Sequence, residues 1–144
     1  MCNDTLLYHQ RELSLALARD LDDRESKITF LKDMAKSFRE KGEFDKALLF
    51  YKRLLELQTD EIDRAITYTD IALTYSDQGN YPEAVKYYKK AMNILKKHEN
   101  DSFSIFLYTF IELDLGDIYR KMKDFENAEY YLLDGLKKFK KMNF

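Results

Sequence analysis

Ala72-x-x-Tyr75…Gly79-x-Tyr81-x-x-Ala84-x-x-x-Tyr88 decides the fold, because the chain says it three times. The phrase stands upstream as Ala35-x-x-Phe38…Gly42-x-Phe44-x-x-Ala47-x-x-x-Tyr51. It returns downstream as Gly116-x-x-Tyr119…Lys123-x-Phe125-x-x-Ala128-x-x-x-Leu132. Spacing inside the copies is identical, while 37 residues separate Ala47 from Ala84 and 44 separate Ala84 from Ala128. Self-similarity at such an interval is the sequence mark of a solenoid. A solenoid offers an extended surface for binding rather than a reaction centre.

Apolar residues at i, i+3 and i+4 predict seven amphipathic helices. A leading helix spans 4–21, with Leu6, Leu13 and Leu17 on one face. Three pairs follow: 24–41 with 44–58, 62–78 with 81–97, and 102–122 with 125–141. The expected organisation is one domain over 1–144, with repeats at 24–58, 62–97 and 102–141. Gly42 and Gly79 fall where a left-handed residue closes a helix at least cost. Pro82 falls in a first turn, where its missing N–H is harmless. Asp101 or Ser102 can cap the sixth helix. The small residues Ala35, Ala72 and Gly116 are expected to face Ala47, Ala84 and Ala128 where paired helices approach closely. Phe38, Tyr75, Tyr119 and Phe44, Tyr81, Phe125 are expected to fill the wedge near each turn.

Composition narrows the function classes. Of 144 residues, 45% are hydrophobic and 35% charged, with four Gly and one Pro, which favours an all-α fold with a real core. The formal charge of −2 exerts no overall pull toward nucleic acid or membrane. A lone Cys2 excludes an internal disulfide framework and fits a reducing, intracellular, cytoplasmic setting. No apolar run reaches a membrane span, and Met1-Cys2-Asn3-Asp4 lacks a signal-peptide layout. The sequons at Asn3 and Asn100 read as chance triplets.

Residues 28–140 resemble the tetratricopeptide repeat, a helix–turn–helix unit of about 34 residues. Small-x-x-aromatic in the first helix and aromatic-x-x-Ala-x-x-x-Tyr/Leu in the second carry the resemblance. The long intervals, with Leu17-Ala18-Arg19-Asp20-Leu21-Asp22-Asp23-Arg24 between helices, are similar to the extended-repeat subgroup. That subgroup includes kinesin light chains, spindle-orientation adaptors, Tonsoku-like scaffolds, and bacterial peptide-pheromone receptors and transcription regulators. The chain departs from the pattern in lacking the proline after each second helix, and in having Lys123 at a turn glycine and Gly135 at a small-residue site. Tyr8 to Leu15 aligns with Phe50 to Leu57, so the leading helix reads as the second helix of a repeat. Phe139, Met142 and Phe144 close the chain without a polar cap. Two expectations follow: a slice of a longer array, or a small protein that pairs through an open end.

The resemblance implies a right-handed superhelix whose concave wall is built from the first helix of each pair. Its expected lining is Thr29, Lys32, Lys36 and Arg39, then Ile66, Thr69, Leu73 and Ser76, then Phe110, Leu113, Asp117 and Arg120. The expected contacts are Lys32, Lys36, Arg39, Ile66, Thr69, Leu73, Phe110, Leu113 and Arg120. A basic end beside an apolar middle suits a peptide or partner helix with acidic and apolar residues. Lys36, Leu73 and Leu113 stand where the chaperone-tail version needs other polar residues, which argues against that ligand. The expected function is a protein–protein adaptor or scaffold. Two alternatives are a peptide-sensing regulatory domain and an assembly module stacking head-to-tail through open ends.

No enzyme, cofactor or metal is expected. His9 and His98 lie in no ligand-spaced cluster, Cys2 has no oriented base, and no carboxylate pair is marked as buried and close. Asp33, Asp70 and Asp114 recur one per copy and read as structural, capping or bridging to the neighbouring pair. Lys86, Lys89, Lys90, Lys96, Lys97 and Lys137, Lys138, Lys140, Lys141 line the outer helices without aromatic interleaving, so nucleic acid is disfavoured.

Overall fold

The computed structural model describes residues 11–13 and 23–142. Six α-helices and one short 3-10 helix make up the described residues from 23 onward. They are α1 (Arg24–Glu40), α2 (Phe44–Leu57), α3 (Glu61–Asp77), α4 (Tyr81–Leu95), α5 (Ser102–Lys121) and α6 (Phe125–Lys141), with the 3-10 turn at Lys96–His98. Of the expected leading helix, residues 11–13 are helical and the rest lies outside the described residues, as do Cys2, His9 and the Asn3 sequon. The chain divides into two compact units, Met1–Gln58 and Thr59–Phe144.

In the first unit α1 and α2 form one hairpin. The Asp23 side chain accepts from the Glu25 N–H and starts α1. The Glu43 N–H returns to the Phe38 carbonyl at 2.8 Å and Gly42 takes φ 79°, which together end it. Ala35 and Ala47 are fully buried, and Phe38 packs on Phe50 at 5.3 Å between ring centroids. The Arg24 Nε donates to the Leu57 carbonyl at 3.0 Å, tying the start of the hairpin to its end.

The second unit repeats that hairpin twice, as α3–α4 and α5–α6. Asp60 and Asp101 cap their helices by accepting from the N–H of Asp63 and Ser104. The turn bond recurs, from Asn80 N–H to Tyr75 at 2.8 Å and from Asp124 N–H to Tyr119 at 2.9 Å. The aromatic pair recurs too, as Tyr75–Tyr87 and Tyr119–Tyr131, each at 5.6 Å. One continuous core joins the two hairpins. Ala84, Tyr88, Ala91 and Leu95 of α4 share it with Ile111, Leu115 and Ile118 of α5. Ala72 and Ala84 are both wholly buried in that core. Ala84→Leu is therefore expected to cost about 1–3 kcal/mol by overpacking, read as a lowered urea midpoint.

Two details differ from expectation for physical reasons. Phe125 does not fill its wedge and is 64% exposed. Its counterpart Tyr81 is shielded by Lys121 of the following hairpin, 5.8 Å from the ring centroid. Among the described residues no later hairpin shields Phe125. Lys123 holds the left-handed φ of 64° that Gly42 and Gly79 hold in the other turns. The fold imposes this conformation whatever residue stands there. Lys123→Gly removes the side-chain clash of a left-handed residue and is expected to gain about 0.5–1 kcal/mol, measured by urea unfolding.

Candidate interaction surface

The first helix of each hairpin carries the predicted contacts. On α1, Lys32 and Lys36 are exposed and Arg39 is half-buried. Their i, i+4, i+7 spacing puts them on one helical face. Thr29 lines a shallow hollow of about 480 Å³ with Glu25, Ser26, Phe30 and Asp33.

In the second unit the predicted contacts divide. Ile66 and Leu73 on α3 are half-buried, with apolar surface still open. Thr69 between them is buried, and its hydroxyl donates to the Ala65 carbonyl at 2.9 Å. On α5 Leu113 leans over Gly135, where an added Cβ would meet Leu113 Cδ2 at 2.9 Å. Gly135 is small because Leu113 fills its space. Arg120 is exposed and grips Asp117, Nη2 to Oδ1 2.7 Å, while Lys121 reaches the other oxygen at 3.0 Å. Hydrogen bonds from Arg120 and then Lys121 hold the Asp117 carboxyl below its ordinary value.

Sequence reasoning missed the neighbours of Phe110. Phe103, Phe106 and Phe110 are 47%, 46% and 41% exposed. Their i, i+3, i+7 spacing makes one apolar stripe along α5. The signal was present: α5 carries Ile111, Leu115 and Ile118 for the core and these phenylalanines besides. A helix apolar on two faces has a second surface to cover.

Electrostatics reveal a buried acid. Glu112 stands at the copy position of Leu31 and Tyr68 and is only 2% exposed. Lys138 on α6 reaches Glu112 Oε1 at 3.2 Å and Asp134 at 3.0 Å, and sits 4.4 Å from the centroid of the Tyr108 ring. Burial first, then the neighbouring Asp134 carboxylate, raises the Glu112 pKa to about 7, with Lys138 opposing. A close pair of carboxylates therefore exists, although no sequence feature marked one. Asp114 accepts a hydrogen bond from the Tyr88 hydroxyl, so this member of the aspartate series does bridge to the preceding hairpin. Burial raises its pKa, while the Tyr88 bond opposes the shift.

Beside Lys138, a cavity of about 490 Å³ is lined by Leu95, Lys96, Glu99, Ser104, Ile105 and Tyr108. Ser104 donates its hydroxyl to Asp101, and Lys138 is held by Glu112 and Asp134, so these two polar groups are already engaged. Among the described residues no cluster of three or more His, Cys, Asp or Glu could hold a metal. His98 instead meets Glu61, Nε2 to Oε2 3.2 Å. The outer lysines are interleaved with aromatics after all. Lys90 lies 4.9 Å and Lys86 5.8 Å from the Tyr87 centroid, and Lys89 lies 6.0 Å from that of Tyr119. The lysines cover rings that the hairpins have stacked in pairs. No helix among the described residues is long and apolar enough to cross a membrane.

Hairpins with the same turn, the same aromatic pair and the same small-residue contact define a helical-repeat protein. Tetratricopeptide repeat models match residues 31–65, 64–103 and 113–137. The chain belongs to the tetratricopeptide repeat family, whose members are protein–protein interaction modules. Solved structures share the fold. The TPR domain of Arabidopsis FLU superposes with TM-score 0.73 at 21% identity, over 83% of this chain and 99% of that one. The N-terminal domain of stress-induced protein-1 from C. elegans gives 0.68 at 20%, over 83% and 89%. BtubC from P. vanneervenii gives 0.69 at 22%, covering 94% of this chain but 55% of that protein. No curated protein matches the chain.

Proposed function

We propose that the chain is an adaptor module that captures a peptide or partner helix on the first helices of its hairpins. The exposed phenylalanine stripe of α5 carries this reading. Three large apolar rings left on one helical face form the kind of patch that binding covers. Phe110 and Leu113 supply the apolar anchor on α5, with Ile66 and Leu73 serving the same role on α3. Thr69 contributes shape rather than a hydroxyl. Arg120 orients an acidic residue of the ligand once Asp117 is displaced. In the first unit Lys32, Lys36 and Arg39 form a cationic face suited to acidic side chains.

A displayed library of random peptides tests this. The wild-type chain is expected to enrich sequences combining a large apolar residue with Asp or Glu. Phe110→Asp, on an exposed position, is expected to weaken such peptides by about 1–3 kcal/mol while leaving the melting temperature unchanged. Equal affinity for both proteins would remove α5 from the binding surface.

A further inference from the structure

A different surface, on α6, is built to meet a copy of itself. Glu129, Leu133, Leu136 and Lys140 follow one another at i, i+4, i+7 and i+11, the spacing of a two-helix seam. All four are exposed. Leu133 and Leu136 are 58% and 47% exposed. One of the two leucines is unusual among the repeats. Leu133 replaces exposed lysines, Lys52 and Lys89, in the other two copies. Leu136 stands at the position of Met92, which the core shared with α5 buries to 6%, and among the described residues no later hairpin covers Leu136.

The seam is also symmetric about the Asp134–Gly135 bond. Leu133 and Leu136 are equidistant from that bond, and so are Glu129 and Lys140. Turning a second α6 antiparallel about this centre sets Leu133 against Leu136 of the other copy. It sets each Glu129 against the opposite Lys140. Neither residue has an ion-pair partner among the described residues. A parallel arrangement would instead bring like charges together, which is repulsive. We infer that the protein forms a two-fold dimer through antiparallel pairing of α6, with the two leucines as its centre and two Glu129–Lys140 pairs as its register. Such an interface is isologous and closes at two copies, unlike head-to-tail stacking.

Sedimentation of the full chain tests this with charge swaps at exposed positions. Over about 5–500 µM the wild type is expected to move from 17.3 kDa toward twice that mass. Glu129→Lys and Lys140→Glu each place like charges across both ends of the seam, and each is expected to weaken the dimer at least about tenfold. The double variant restores opposite charges and is expected to return to within about threefold of wild type. Mixing the two single variants is expected to give a heterodimer that neither forms alone. Far-UV circular dichroism should not change in any of them, nor should the melting temperature at dilutions where the wild type is monomeric. A wild type that stays monomeric throughout the range overturns the inference. Association that ignores the single swaps, or that the mixture fails to rescue, also overturns it and assigns self-contact to another face.

Discussion

Tyr88→Ala is expected to destabilise the protein by about 3–5 kcal/mol, the largest loss any single truncation here should give. Tyr88 is wholly buried in the core shared by α4 and α5. Its ring fills the position that the repeat phrase reserves for Tyr51 in the first copy and Leu132 in the third. Its hydroxyl donates to the Asp114 carboxylate of the next hairpin. Truncation therefore removes core volume and also strands a partly buried acid. Tyr88→Phe separates the two effects. It keeps the ring and leaves Asp114 without its donor, at an expected cost of about 1–2 kcal/mol. Because that bond holds the Asp114 pKa down against burial, Tyr88→Phe should move it further up, as carboxyl NMR titration would show. Equal stability of Tyr88→Phe and wild type would deny the bond an energetic role.

Glu112→Leu is expected to stabilise the protein by about 2–3 kcal/mol at about pH 8 and to change little at about pH 4. The sign follows from the raised pKa. Glu112 titrates near 7 in the folded protein and near 4.5 when unfolded. Below 4.5 both states are protonated, and its contribution to stability is fully present. As pH rises through about 7 the buried carboxyl must ionise and the contribution is lost. Wild type should thus lose urea resistance between about pH 5 and 8, and Glu112→Leu should lose distinctly less, with Asp114 still contributing in the same direction. Lys138 keeps Asp134 as a partner in the variant. Leucine is the residue the first copy already uses at this position, Leu31. A wild-type midpoint that is flat across that range would show the carboxyl to be ionised at little cost.

The two predictions also show where a sequence reading stops. The hairpins were legible because their determinants are local. Gly42 and Gly79 signal the left-handed turn directly, and the alanines recur at fixed spacing. Lys123 adopts the same turn without the signal, since the surrounding hairpin imposes the geometry. The aromatic partners Phe50, Tyr87 and Tyr131 were visible in the copies, but only their packing shows that they pair with Phe38, Tyr75 and Tyr119. Glu112 was hidden for another reason. A glutamate in a helix reads as solvated unless its copies are consulted, and those copies hold Leu31 and Tyr68. Among the predicted contacts, Thr69 is one that the family resemblance puts on the open concave wall, and it is buried. A family pattern fixes a position along the repeat, while burial depends on what the neighbouring helix brings.

One measurement reaches the central claim. A peptide selected on the wild-type chain would be titrated into isotope-labelled protein while backbone amide shifts are followed. Binding on the first helices of the second unit predicts perturbations along α3 and α5, strongest around Leu73, Phe110 and Leu113, with α4 and the outward face of α6 nearly silent. Perturbations confined to α2, α4 or α6 would contradict the account and move the interaction surface to the second helices.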